Sequence, residues 1–519
     1  MICPSLLKVK EILQNRNVQE HISEIPDATK LQMQDGSGTE YDFRRIPIKM
    51  ELYADSVTTV MAVRRLKYAS HHCFLLESAE PSRQWGRYSF LGYDPTMEIT
   101  CHNGIVNISD RTSGMVMTQR TDDPNVLLRQ IMDENRAPQV EGMPPFSGGL
   151  VGYFSYDYLK YKEPSLRLDA KDEESFQDAD LMLFDKVVAF DHYRQKIILI
   201  VNIRTDNLER SYLEGVSYLQ AMASLLTKGR LAENPPLQLK SKFRYLFDKP
   251  GYCEIVEKAK QYIREGDIFQ VVLANRMDAD MEGSLLDTYR ILRTSNPSPY
   301  MFYFSSDDIE IAGASPETLV KLENGRLHTF PLAGTRPRGA TREEDIALEQ
   351  SLLSDEKECA EHNMLVDLGR NDLGKISRIG TVRMEKYKSV ERFSHVMHLG
   401  SAVSGQIRED RDALDAIGAV LPAGTLSGAP KLRACEIINE LEGQKGGIYG
   451  GAIGYLDFTG NMDTCIAIRI AFAKNGKVFV RSGAGIVADS VPEMEFTECV
   501  NKAGAVIQAL KQAEGGIDL

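Results

Sequence analysis

Residues 448–488 read IYGGAIGYLDFTGNMDTCIAIRIAFAKNGKVFVRSGAGIVA, a series of apolar runs broken by very short turns. Thr459-Gly460-Asn461 and Asn475-Gly476 are the breaks. Asn-Gly is the dipeptide that a two-residue hairpin favours, because both turn positions take positive φ. Strands joined so tightly are antiparallel, since a parallel pair needs a crossover of roughly a dozen residues or more. CIAIRIAFA reads as one strand, with Ile466, Ile468 and Ile470 on one face and Arg469 on the other beside small Cys465 and Ala467. Toward the N-terminus the same grammar continues. Asn324-Gly325 marks another hairpin, IFQVVLANRM and VMHLGSAVSG read as strands, and Tyr252 to Arg264 has helical periodicity that stops at Gly266. Thr341 with Glu344, and Ser490 with Glu493, have capping-box spacing. The fold class is therefore α+β, antiparallel β-sheets packed together with helices on the outside, and not a doubly wound parallel sheet.

The rest of the chain divides by composition. Residues 1–45 form an N-terminal extension, a helical fragment followed by the polar tether QDGSGTEYD. Residues 46–226 alternate strand-like runs such as HHCFLLESAE and KIILIVNI with helices, and read as one domain. The polar, proline-containing 227–250 segment reads as a linker, and 251–519 as a second domain. A chain of 519 residues with 43% hydrophobic and 26% charged residues can bury large cores. Its net charge of −13 argues against nucleic acid or an anionic membrane as the main partner. The eight cysteines form no C-x-x-C pair, and the first ten residues lack a signal-peptide core. Apolar runs such as Ile197 to Val201 are strand-sized. A cytoplasmic protein with free thiols is expected.

Two motifs carry chemistry. Pro422 to Lys431, PAGTLSGAPK, has the glycines, hydroxyls and lysine of a phosphate-binding loop but the wrong order. Ala429 and Pro430 separate Gly428 from Lys431, Leu432 replaces the hydroxyl that would hold Mg²⁺, and Pro430 removes an N–H donor. The second motif occurs twice. Glu358 and Glu361 stand three residues apart, as do Glu495 and Glu498, so each pair shares a helix face. Such pairs suit Mg²⁺, which takes one or two carboxylates and keeps waters, but spacing alone equally describes solvated helix faces.

GASPETLV, FPLAGTRPRG, DEKECAEHNMLVDLGRNDLG, SHVMHLGSAVSG, LPAGTLSGAPKLRACEII, YGGAIGYLDF and RSGAGIVADSVPEMEFTECVNKA occur in this order. Together they resemble the chorismate-utilising enzymes, densely over about 250–511 and more thinly in FLLESAE and RYSFLG. The resemblance implies that 251–519 is a chorismate-binding catalytic domain with a pocket for a dicarboxylate, and that 46–226 is a regulatory domain. Arg469 would make a bidentate pair with a substrate carboxylate. Gly483, Ala484 and Gly485 would offer backbone groups, and Gly334, Thr335, Thr425, Tyr449 and Lys502 fall on substrate-binding positions. Glu361 and Glu498 would hold Mg²⁺, with Glu358 and Glu495 supporting. Glu317 of ASPE would be the general acid. His395 and His398 are equal candidates for a base from the residues alone, and the resemblance selects His398.

The branches of that family differ at two lysines. Members that add water to chorismate carry a lysine where this chain has Gln270 in FQVVLAN. Members that make aminodeoxychorismate carry one where it has Ala333 in PLAGT. With neither, the resemblance implies direct attack by ammonia at the ring C2, giving anthranilate. Aminodeoxychorismate synthesis, isochorismate or salicylate synthesis, and a non-catalytic tryptophan-sensing role are the competing readings. No cysteine sits in a G-x-C-x-G elbow, so ammonia is expected from a separate glutamine amidotransferase subunit, in a hetero-oligomer expected to be a heterotetramer. The resemblance also implies tryptophan as inhibitor, held by Glu77, Ser78, Pro299, Tyr300 and Met301, with Arg87 for its carboxylate.

Overall fold

The computed structural model describes residues 2–14, 41–79, 86–392 and 396–517. Among them, two large sheets with antiparallel strand ladders face each other, with helices on both outer sides. A fourteen-stranded sheet runs from Ile2–Cys3 through Cys73–Glu77, Tyr300–Ser305, Glu310–Ser315, Ile470–Lys474 and Lys477–Ile486 to Gln270–Glu282 and Gln238–Leu239. A twelve-stranded sheet runs from Leu332–Pro337 through Val396–Gln406, Thr318–Glu323, Met462–Ile466, Ala452–Asp457 and Gly149–Phe154 to Val116–Arg120.

Alternation along each strand explains the layers. In Tyr300–Ser305, Phe302 and Phe304 point into the space between the sheets, where they join Phe74, Phe184, Phe472 and Phe479. Met301 and Tyr303 point the other way, toward a core closed by the Leu208–Lys228, Leu286–Ser295 and Pro492–Ala513 helices. Behind the other sheet, Pro124–Asp133, Glu356–Gly374 and Ala413–Val420 close a further core.

Both sheets cross the sequence boundary at 227–250. Met301 pairs with Glu77 and Ser305 with Cys73, while Ala452 pairs with Phe154 and Asp457 with Gly149. The N- and C-terminal segments therefore build the same two sheets. Of the N-terminal extension, Leu6–Gln14 is a helix; most of the tether lies outside the described residues, as does His395.

The expected hairpins form. Asn324 and Gly325 have φ of 52° and 75°, Asn475 and Gly476 have 53° and 72°, and Gly460 has 87°. The helix ending at Glu265 is capped by Gly266 at φ 87°. Two local expectations fail. Ser490 does not cap the last helix: the N-cap is Val491, and the Ser490 hydroxyl instead accepts the Val487 N–H at 3.1 Å. At Thr341 the hydroxyl does accept the Glu344 N–H at 3.2 Å, but the Glu344 carboxylate returns to the Ala340 N–H at 2.9 Å, one residue early.

The third correction positions the site. CIAIRIAFA is not one strand. It breaks after Ile466, where the chain leaves the twelve-stranded sheet, and resumes at Ile470 in the fourteen-stranded one. Arg469, in the crossing, has φ 52°, a left-handed conformation uncommon for a side chain of this size.

Candidate active site

A second crossing runs alongside the first. Glu310–Ser315 belongs to the fourteen-stranded sheet and Thr318–Glu323 to the twelve-stranded one, so Pro316-Glu317 spans the gap. The two crossings are tied by backbone hydrogen bonds, Ile466 N–H to the Glu317 carbonyl at 3.0 Å and Ala314 N–H to the Arg469 carbonyl at 3.2 Å. Glu317 and Arg469, distant in sequence, are thereby neighbours where the sheets exchange strands.

The Thr425 hydroxyl, in the short 3₁₀ turn Gly424–Leu426, donates to both Glu317 carboxylate oxygens at 3.3 Å. Burial pushes the Glu317 carboxyl up to about 8, against the opposing pull of Thr425, Arg469 and Lys502. It is therefore a carboxylic acid at neutral pH, bordering a cavity of about 40 Å³ that Thr425 and Ile466 also line. The rest of the PAGTLSGAPK loop is structural. Lys431 is buried against Asp372 at 2.6 Å and the Val420 carbonyl at 2.9 Å, while Gly428–Ala429 pairs with Gln270 and Val271.

His398, on Val396–Gln406, places Nδ1 2.8 Å from the Gly334 carbonyl and 3.1 Å from the Thr335 hydroxyl. Burial, opposed by the Gly334 hydrogen bond and aided by the Arg469 charge, lowers its pKa and favours the neutral ring. A proton on Nδ1, donated to Gly334, makes Nε2 the basic nitrogen.

Lys477–Ile486 carries the glycine-rich segment. Gly483, Ala484 and Gly485 pair with Ala274, Leu273 and Val272, but pairing on the other side ends at Val480. Among the described residues that leaves the far edge of the segment without a strand partner. Lys502 donates to the Gly483 carbonyl at 3.2 Å and pairs with Glu498 at 2.7 Å. Tyr449 is buried beside Gly483. Gln270 reaches the same segment, since a Cβ on Gly485 would lie 2.8 Å from its side-chain nitrogen.

The four glutamates lie on two helices, Glu356–Gly374 and Pro492–Ala513. Glu358 packs against Gly334, where a Cβ would come within 3.0 Å of its carboxylate. Burial and then the charge of Glu358, with Glu498 adding, raise the Glu361 carboxyl above its usual range. Burial, with Glu498 adding, raises Glu495 against a hydrogen bond from Ser490. The two helices thus share one electrostatic field, which Lys357 and Lys502 partly offset.

The chain matches the model of the chorismate binding enzymes over residues 71–508. It belongs to that family. It is 46% identical to anthranilate synthase component 1 of Acetivibrio thermocellus, over 91% of this chain and 96% of that protein. To the protein of the same name from Aquifex aeolicus it is 44% identical, over 91% and 96%. Among solved structures, anthranilate synthase component I from Streptococcus pneumoniae superposes with a TM-score of 0.72 at 39% identity, covering 82% of this chain and 92% of that one. The menaquinone-specific isochorismate synthase of Escherichia coli, at 19% identity and a TM-score of 0.66, shares the fold.

Glu361 and Glu495, whose charged forms are disfavoured by burial and by neighbouring negative charge, are carboxylates of the kind a hard divalent cation takes. Among the described residues no three His, Cys, Asp or Glu side chains are grouped closely enough to enclose a metal ion alone. Mg²⁺, which keeps several waters and accepts substrate oxygens, does not need such a cage.

The six residues expected to bind tryptophan line one cavity of about 120 Å³ at the seam between Cys73–Glu77 and Tyr300–Ser305. Arg87 already pairs with Asp191 at 2.9 Å and stacks on Tyr88 and Tyr193. Glu77 is buried and bonded to Tyr289 and Arg293 of the Leu286–Ser295 helix. A wider groove of about 1380 Å³ adjoins this cavity at Arg87 and Pro299, and none of the residues expected at the catalytic site lines it.

Sequence reasoning missed Asp463 and the Glu442–Arg481 pair. Asp463 lines the smaller cavity, its carboxyl pushed by burial up to about 6 while it accepts the Tyr300 hydroxyl at 2.9 Å. Glu442 and Arg481 form a buried ion pair near Tyr449, and Glu442 also accepts the Ala274 N–H at 2.6 Å. A lone Asp in an alternating strand, or two acid–base partners separated by 39 residues, carries no local signal.

Proposed function

We propose that the chain is the aminating subunit of an anthranilate synthase, converting chorismate and ammonia to anthranilate and pyruvate. The observation that carries this reading is Glu317, an acid kept protonated up to about pH 8, with the Arg469 charge acting on it and on His398 alike. Ammonia forms the C–N bond at C2 while the ring C–O bond breaks, and the Glu317 proton leaves with the hydroxyl as water. His398 then takes the C2 proton as the enolpyruvyl C–O bond breaks, the ring becomes aromatic, and the departing enolate takes up a proton to become pyruvate.

Arg469 and Lys502 anchor substrate carboxylates, with Gly334, Thr335, Thr425, Tyr449 and the backbone of Gly483, Ala484 and Gly485 fixing the ring. Gln270 is neutral and cannot activate water, and Ala333 offers no nucleophile, which supports ammonia as the attacking group. Glu361 and Glu498, supported by Glu358 and Glu495, would hold Mg²⁺, which when bound offsets the charge of a substrate carboxylate. A glutamine amidotransferase subunit would supply ammonia in the cell, and tryptophan would inhibit from the cavity at Glu77, Ser78, Arg87, Pro299, Tyr300 and Met301.

The test uses the purified chain alone with chorismate, Mg²⁺ and ammonium at alkaline pH, following anthranilate fluorescence. Fluorescence should rise, and chelation or Glu498→Ala should abolish it. Chorismate consumed without anthranilate would reject the proposal.

A further inference from the structure

We propose that His362, through its hydrogen bond to Ser401, is a positioning residue that clamps the Glu358/Glu361 helix to the His398 strand. This rests on the catalytic reading above. His362 is wholly buried, and its Nε2 lies 2.7 Å from the Ser401 hydroxyl, itself buried. Ser401 is a junction. Its hydroxyl also accepts the Lys388 N–H at 3.0 Å, and its own N–H reaches the Pro331 carbonyl at 3.1 Å.

Four segments therefore meet at one residue. They are the helix with the acids, the strand with His398, the bend at Lys388, and Pro331, which leads into the strand bearing Gly334 and Thr335. Lys388 has φ 49°, at a slip in register between Arg383–Arg392 and Val396–Gln406. That slip lets its N–H meet Ser401.

Packing alone does not account for a histidine here. Its Nδ1 has no hydrogen-bond partner among the described residues, and a buried unpartnered nitrogen is a cost that an apolar side chain of similar volume avoids. What the ring supplies is the directed bond. Glu361 precedes it on the helix, Glu358 packs on Gly334, and the Gly334 carbonyl meets His398. A small slide of the helix would shift the acids relative to Gly334 and His398 together, and misplacement by about 1 Å can cost on the order of 10²-fold in rate.

The test compares His362→Phe, His362→Gln, Ser401→Ala and the double variant His362→Phe/Ser401→Ala in the full chain. The readouts are kcat and KM with ammonium, Mg²⁺ affinity by calorimetry without chorismate, and thermal midpoint. His362→Phe and Ser401→Ala should each lower kcat by ~10–100-fold and weaken Mg²⁺ binding, as loss of supporting partners does at metal sites, while KM for chorismate stays close to wild type. The double variant should be no worse than either single one, and His362→Gln, which keeps both a donor and an acceptor, should recover most of the loss. Variants that lower only the thermal midpoint, or losses that simply add, would overturn the clamp. If the wild-type chain makes no anthranilate, the reaction assignment fails, and Mg²⁺ affinity across the same four variants still decides the clamp.

Discussion

Glu317 and Thr425 set the pH behaviour at the scale of single residues. A general acid works only while protonated, and burial holds this one protonated up to about 8. Its contribution is present below that pH and lost above it, whereas free ammonia increases with pH. With ammonium as substrate the profile should be a bell whose falling limb belongs to Glu317. Glu317→Gln should lower kcat by ~10²–10⁴-fold and remove that limb. The Thr425 hydroxyl stabilises the carboxylate form, so Thr425→Val should move the falling limb to higher pH. A limb that stays in place in Thr425→Val, measured by kcat against pH, would remove Glu317 from the acid role.

Among the elements, the paired crossings hold the least relaxed backbone of the site. Arg469 occupies the crossing at φ 52°, a conformation glycine adopts without steric cost. Arg469→Gly and Arg469→Ala should both lose chorismate binding, yet the glycine variant should be the more stable of the two by about 1 kcal/mol. Equal denaturant midpoints would show that the backbone there is unstrained. This crossing was hidden in the sequence because Ile466, Ile468 and Ile470 alternate as they would in one continuous strand, and nothing local marks a change of sheet. The Asn324-Gly325 and Asn475-Gly476 hairpins were legible because the turn chemistry is contained in two residues. The acid pairs were legible as helix faces, but not as sharing one electrostatic field, since that depends on packing between residues 137 apart at Glu361 and Glu498 (498 − 361). Ser490 misled because a serine before a helix can serve a preceding loop N–H as readily as the helix.

At the scale of the whole molecule, both sheets are shared by the two segments that composition separates. The seam between Cys73–Glu77 and Tyr300–Ser305 also forms part of the smaller cavity, so a ligand there would touch both. Cutting the chain at 227–250 would expose strand edges in both sheets, which invites aggregation. Fragments 46–226 and 251–519 expressed separately should therefore be insoluble or lack cooperative unfolding. The intact chain should unfold in a single urea transition by circular dichroism. Two separate transitions, or a soluble and cooperatively folded C-terminal fragment, would show that the sheets are divisible.

The most direct test of the account is the fate of labelled ammonia. The full chain, without a partner subunit, would be incubated with chorismate, Mg²⁺ and ¹⁵N-ammonium, and the products resolved by mass spectrometry. The account predicts ¹⁵N-anthranilate and pyruvate in equal amounts, with both lost in Glu317→Gln. Isochorismate lacking nitrogen, or labelled aminodeoxychorismate without pyruvate, would contradict it.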